Sequence, residues 1–156
     1  MDKKEAVLLN YLRVNGRVQL TKLSRKTGVP ISTLHDRLKK SPNIRKITAL
    51  LHFGRLGFSA KAYVLVRANR RYRDDLAVYL KEHFHVNNLY KINNGFDYLL
   101  ECVFKDMRAL EDFIEELDTR FKVRSANVHY IIHDMKREGF LADPDRIRDF
   151  TCKPAA

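Results

Sequence analysis

Three breakers divide the first 42 residues into short segments: Asn15-Gly16, Gly28-Val29-Pro30 and Ser41-Pro42. The segments between them carry apolar residues at helical spacing, so this stretch folds as short helices joined by tight turns. Asp2 and Glu5 have capping-box spacing and open a first helix, with Ala6, Leu9 and Leu12 on one face. A second helix runs from about Gln19 to Thr27 and buries Leu20 and Leu23, with Gly28 as its left-handed stop. A third runs from Ile31 to Lys40 and ends at Ser41-Pro42, because proline drives its predecessor out of helical geometry. Two short helices joined by a glycine-containing turn make a helix-turn-helix. Steps of 100° place Ile31, Leu34 and Leu38 on the inner side of the third helix, with His35 near that edge as a packing residue. Thr33, Asp36 and Lys40 point directly away, flanked by Ser32 and Arg37.

After the third breaker the pattern changes. Asn43 to Ser59 reads as an extended, strand-like connector punctuated by Gly54 and Gly57. From Ala60 onward strand and helix patterns alternate. Ala62, Val64, Val66 and Ala68 alternate with Tyr63, Leu65 and Arg67 in a strand with one fully apolar face. Leu76, Leu80 and Phe84 predict a helix over 73–84, and Leu89 to Ile92 a strand. Asn93-Asn94-Gly95 reads as a tight turn, and Asp97 to Phe104 as its hairpin partner. Helical spacing returns from Met107 to Phe121, and Val128, Tyr130 and Ile132 alternate in a last strand. The order is βαββαβ, which predicts an α+β chain: an N-terminal (winged) helix-turn-helix domain followed by a ferredoxin-like domain. The expected boundaries are 1–42 for the helix-turn-helix, 43–59 for the linker, 60–140 for the second domain and 141–156 for a tail with a short helix and a frayed end.

The charge is lopsided. Of the net +11 over 156 residues, residues 1–73 hold 18 Lys or Arg against three acids, whereas residues 74–156 hold 12 against 16. No acid occurs between Lys39 and Arg73. Such a surface suits a polyanion, and duplex nucleic acid is the expected partner. Short hydroxyl and charged side chains on the third helix (Ser32, Thr33, Asp36, Arg37) suit base edges in a major groove, while Lys22, Arg25, Lys39, Lys40 and Arg45 suit phosphates. The plainer alternative is a solvated face with an Asp36–Lys40 pair worth only ~0.3–0.5 kcal/mol.

Other classes find less support. The apolar run Ile47 to Phe53 is far short of the ~20 residues that span a bilayer, so no membrane partner is expected. Cys102 and Cys152, one in a strand-like run and one in the tail, fit a reducing cytoplasm and neither a disulfide framework nor a cysteine-rich zinc site. His129 and His133 would stand ~13 Å apart on a strand, too far to share one ion. No cofactor and no catalytic residue is expected. Apolar residues on both faces of the strand at 61–68 do predict a homodimer, because one helical layer covers only one face of a sheet.

The combination resembles the Lrp/AsnC, or feast/famine, family of transcriptional regulators over about residues 5–138. The residues that carry the likeness are Leu12 with Asn15-Gly16-Arg17, Leu23-Ser24, Thr27-Gly28-Val29 and Arg37. The connector Ile44 to Leu51, ending in Leu56-Gly57-Phe58, is similar to the family's linker, and Asn94-Gly95-Phe96-Asp97-Tyr98 to its Gly-x-Tyr-Asp hairpin. Asn94 stands at the usual motif glycine, and asparagine also tolerates positive φ; Pro30 stands at the usual Ser or Thr cap. The resemblance implies sequence-specific DNA binding, dimerisation or higher homo-oligomers through the second domain, and a small-molecule, amino-acid effector near Asn94, Gly95 and Asp97. Two alternatives share the architecture: a DNA-coating protein without effector, and an enzyme similar to the siroheme decarboxylases, in which His129 or His133 would act.

Overall fold

The computed structural model describes residues 2–146, which form two compact units. One unit comprises the chain up to Leu50 together with the described residues from Met135 onward; the other is Leu51–Asp134.

In the first unit three helices follow the breakers: α1 (Lys3–Val14), α2 (Leu20–Thr27) and α3 (Ile31–Lys40). The Asp2 carboxylate caps α1 by accepting from the Glu5 N–H at 2.6 Å, and Gly28 closes α2 at φ 66°. The core is Leu8, Leu23, Val29 and Leu34, with Tyr11, Leu12, Leu20 and Leu38 packed around it. Leu8 therefore replaces Leu9 as the fully buried leucine of α1, and Leu20 is only half-buried. Asn10 is also buried, a polar side chain inside a small core. Its amide donates to the Leu141 carbonyl at 2.7 Å. Arg13 donates to the Phe140 carbonyl at 3.0 Å and pairs with Glu138 at 2.5 Å. Residues 138–141 thus return to α1, a long-range closure that no local pattern announces.

The connector departs from expectation. Residues 43–59 contain no strand; a single 3-10 turn spans Phe53–Leu56 and is closed by Gly57 at φ 86°. Extended backbone becomes a strand only with a ladder to join, and among the described residues none lies alongside it.

The second unit is a four-stranded antiparallel sheet of order β2-β3-β1-β4, with β1 Ala60–Arg67, β2 Val86–Lys91, β3 Tyr98–Phe104 and β4 Ser125–Tyr130. Helices α4 (Arg73–Glu82) and α5 (Met107–Phe121) complete the ferredoxin-like βαββαβ order. On one face Ala62, Val64 and Val66 stand opposite Cys102, Leu100 and Tyr98 and are buried with Leu76, Leu80, Leu110, Phe113 and Leu117 of the helices. Asp106 caps α5 by accepting from Ala109 N–H at 2.9 Å. Cys102 lies in this core, and burial pushes its thiol pKa up to about 12, so it is an inert packing residue.

The strand ends differ from their sequence reading. β2 starts at Val86, three residues early, with a bulge between Val86 and Asn88. Phe84 lies beyond the end of α4 and is 84% exposed; Ile132 lies beyond β4 and is 99% exposed. Helix and strand stop where their hydrogen-bond partners stop, and an apolar residue two positions further keeps its periodicity without its burial.

Candidate nucleic-acid interface and turn pocket

Helix α3 buries Leu34 and turns Ser32, Thr33, Asp36, Lys39 and Lys40 to solvent. Lys22 and Arg25 are exposed on α2, and Arg45 on the connector. Two α3 side chains depart from expectation. Ile31, expected on the inner side, is 46% exposed, because it lies in the first turn, beyond the cover of Leu8, Leu23 and Val29. His35, expected to pack, is exposed, with Nδ1 3.8 Å from the Asp36 carboxylate.

Arg37 is half-buried and already engaged. Its guanidinium lies 3.2 and 3.1 Å from the two Asp2 carboxylate oxygens, so one carboxylate caps α1 and ties α3 to it. The hydrogen bond from Arg37, then that from the Glu5 N–H, holds the Asp2 carboxyl below the usual carboxylate range. Lys26 lies 5.4 Å over the Tyr11 ring. The outward face that remains carries two hydroxyls, a carboxylate and two ammonium groups within ten residues. A rigid helix with short polar side chains along its axis and cations at its end can enter a major groove.

The hairpin turn builds the second candidate site. Asn94 at φ 60° and Gly95 at φ 88° both have positive φ, the conformation hairpin turns favour, and Ile92 N–H donates to Asp97 O at 3.0 Å. Asp97 is fixed on two sides. Its Oδ2 accepts from Ala68 N–H at 2.8 Å, and Oδ1 lies 2.8 Å from the Arg73 guanidinium. The Tyr98 hydroxyl donates to the Arg73 carbonyl at 3.2 Å, and burial, then the Asp97 charge, raises its pKa. These contacts surround a polar concavity of about 270 Å³. Arg67, Arg70, Arg73 and Arg124 line it together with Asn94, Gly95 and Asp97. The arginines escaped the sequence reading, which assigned the whole acid-free run to one polyanion-binding face. The signal was there in the dense cluster Arg67, Arg70, Arg71 and Arg73 at its end.

The other face of the sheet holds Lys61, Tyr63, Leu65, Leu99, Glu101 and Val103. Glu101 is 4% exposed. Burial alone would raise its pKa, but hydrogen bonds from Asn88 and Lys61 outweigh it and leave the carboxyl below its usual range. Lys61 Nζ lies 3.2 Å from Glu101 and 2.9 Å from Asp134. The bulge in β2 permits this, since it turns Asn88 to the face of Glu101 while Val86 keeps the face of Cys102. His129 is exposed on β4, and His133 lies outside that strand. Among the described residues no group of three or more His, Cys, Asp or Glu is placed to hold a metal ion, and no helix is long and apolar enough to cross a membrane.

A helix-turn-helix joined to a ferredoxin-like sheet defines a class of DNA-binding regulator, and known proteins agree. Residues 61–140 match the family model of the Lrp/AsnC ligand binding domain, and residues 1–40 that of a winged helix-turn-helix DNA-binding domain. The chain belongs to the Lrp/AsnC family and is a helix-turn-helix transcriptional regulator of that type. It is 26% identical over 118 residues to the HTH-type transcriptional regulator FL11 of Pyrococcus abyssi, covering 74% of this chain and 78% of that one. It is 26% identical over 143 residues to an uncharacterized HTH-type transcriptional regulator of Pyrococcus horikoshii, covering 90% of each. Among solved structures, a transcriptional regulator of Neisseria meningitidis in complex with L-Met superimposes with a TM-score of 0.79 at 24% identity, covering 88% of this chain and 93% of that one. A feast or famine regulatory protein from M. tuberculosis complexed with L-methionine gives 0.79 at 21% identity, covering 87% and 95%. These relatives are named as regulators, not enzymes.

Proposed function

We propose that this protein is a sequence-specific, homodimeric regulator that binds duplex DNA through α3 and is controlled by a small molecule bound near Asn94, Gly95 and Asp97. The observation that carries the DNA reading is the outward face of α3, where Ser32, Thr33 and Asp36 stand opposite buried Leu34. Lys22, Arg25, Lys39, Lys40 and Arg45 take phosphates, and Arg37, held by Asp2, sets the angle of the helix while adding its charge. In this reading residues 1–42 bind DNA, 43–59 link and 60–140 dimerise and sense, each protomer supplying one α3 to one half-site. The L-methionine complexes of structurally similar regulators support a small-molecule effector.

Selection of binding sites from random duplex DNA tests the proposal. A recovered palindrome with half-sites about one helical turn or a multiple apart supports a dimeric sequence reader. Enrichment of no motif, with cooperative coverage of any duplex, would make the protein a coating protein instead. Affinity for the selected site should fall by roughly 0.9 log unit per log unit of salt for each phosphate neutralised.

A further inference from the structure

The arginines of the turn pocket are too many for the acids around them. Arg67 ends β1, Arg70 lies in the 3-10 turn Arg70–Tyr72, Arg73 opens α4, and Arg124 directly precedes β4. The Arg124 N–H donates to the Arg67 carbonyl at 2.8 Å, which fixes those two backbone positions side by side. The lining contains one carboxylate, Asp97, and both of its oxygens are occupied, by Ala68 N–H and by Arg73. Arg73 is thereby pinned, yet its Nε is buried without a protein hydrogen-bond partner. Among the described residues no carboxylate lies within ion-pair distance of Arg67, Arg70 or Arg124.

Four guanidinium groups around one concavity repel one another, and the buried apolar core of this unit owes nothing to them. Counter-charge from outside relieves that repulsion. Guanidinium forks match carboxylate and phosphate oxygens two by two. The cavity, about 270 Å³, lies below the ~300–1,000 Å³ of drug-sized sites, which suits a small metabolite.

We infer that this pocket binds a small polyanion, a metabolite with two or more carboxylate or phosphate groups, in preference to an amino acid with an uncharged side chain. The single carboxylate of such an amino acid would satisfy one arginine and bring an ammonium group towards the rest. A polyanion engages several of these guanidinium groups at once. The inference rests on the reading of this turn as the effector site, and it replaces the chemical class of the ligand.

Calorimetric titration of the full-length protein with citrate, inorganic pyrophosphate and L-methionine tests it. The expected result is that citrate or pyrophosphate binds once per protomer, at least tenfold more tightly than L-methionine. Citrate alone identifies a carboxylate ligand and pyrophosphate alone a phosphate ligand; either supports the inference. Arg70→Ala and Arg124→Ala, both at exposed positions, should each weaken that binding about tenfold or more. Lys39→Ala on α3 should leave it within twofold. If Lys39→Ala weakens polyanion binding as much as Arg124→Ala, the attraction belongs to the basic half at large and the inference fails. Binding of L-methionine with neither polyanion overturns the inference and keeps the effector reading. Binding of none of the three overturns both.

Discussion

Asp36 is the side chain whose chemistry discriminates most sharply between modes of DNA binding. A carboxylate on the exposed face of a groove-entering helix is repelled by phosphates and is useful only where it accepts from a base, most directly a cytosine amino group. Asp36→Ala should therefore keep or raise affinity for random duplex while the specific-to-random ratio shrinks, by ~1–3 kcal/mol for a lost base contact. Paired titrations on a selected and a scrambled site measure this, and an equal rise on both would show that Asp36 reads nothing. His83 makes a second case. It packs 4.5 Å from Phe113 in ring-centroid distance, and its Nδ1 accepts from the His85 N–H at 3.3 Å, which requires that nitrogen unprotonated. Burial, then the charge of His85, lowers its pKa from 6.5, although Glu116 opposes the shift. As pH falls below 6.5 the unfolded chain takes up a proton that the folded chain refuses, so stability is present above that value and is lost below it. The lowered carboxyls of Asp2, Glu101 and Glu116 act only at more acid pH, below their usual 3.8–4.5. Thermal melts at pH 7.5 and 5.5 should show this loss, and His83→Phe should flatten it; an unchanged slope would remove His83 as the cause. Such single-residue states were the least legible in the sequence. His35 had the spacing of a packing residue and is exposed, because neighbouring helices, not the helical wheel, decide which positions are covered.

At the scale of elements the sequence was far more legible, wherever a local chemical signal marks an end. Helix α3 has the limits that Pro30 and Ser41-Pro42 imply, and α5 runs from its Asp106 cap to Phe121. Lys122 then ends α5 in the left-handed region at φ 47°. Where the end is set by a distant partner, the reading slipped. β2 begins early because Val86 pairs with Cys102, and the connector forms no strand because no ladder meets it. The hairpin turn was legible from Asn94-Gly95, but only the fold brings it together with the cluster Arg67, Arg70 and Arg73 and with the distant Arg124. The α5 cap yields a prediction of its own. Asp106→Ala leaves the Ala109 N–H without its acceptor at the start of a helix that buries Leu110, Phe113, Leu117 and Phe121. The second unit should lose about 0.5–2 kcal/mol in denaturant unfolding, with the slope against denaturant unchanged. Asp106→Ser should recover most of the loss, because serine caps a helix as well; no recovery would mean that the carboxylate acts otherwise than as a cap.

At the scale of the molecule, the proposed dimer would form through the sheet. Its helix-bearing face is closed by α4 and α5, whereas the opposite face presents Tyr63, Leu65 and Leu99, each only half-buried. Leu65 and Leu99 stand opposite each other on adjacent strands, so they form one contiguous apolar surface. Beside it Lys61 pairs with both Glu101 and Asp134, and Asn88 donates to Glu101. A second copy covering this face would therefore find Lys61 and Glu101 already paired with each other and not stranded as lone charges. A two-fold axis through the sheet would set the same leucines of both protomers against each other. Light scattering at micromolar concentration should give the mass of a dimer or of a multiple of it. Leu65→Asp places a carboxylate at the centre of that apolar surface in each protomer, where two like charges would meet in a dry contact. It should yield a monomer with the helical and sheet signature of the wild type in circular dichroism, since Leu65 lies outside the buried core cluster. Binding to a palindromic site should fall with it, because two recognition helices would no longer engage as one unit. A monomeric wild type, or a Leu65→Asp variant that remains a dimer, would move the interface elsewhere on the molecule.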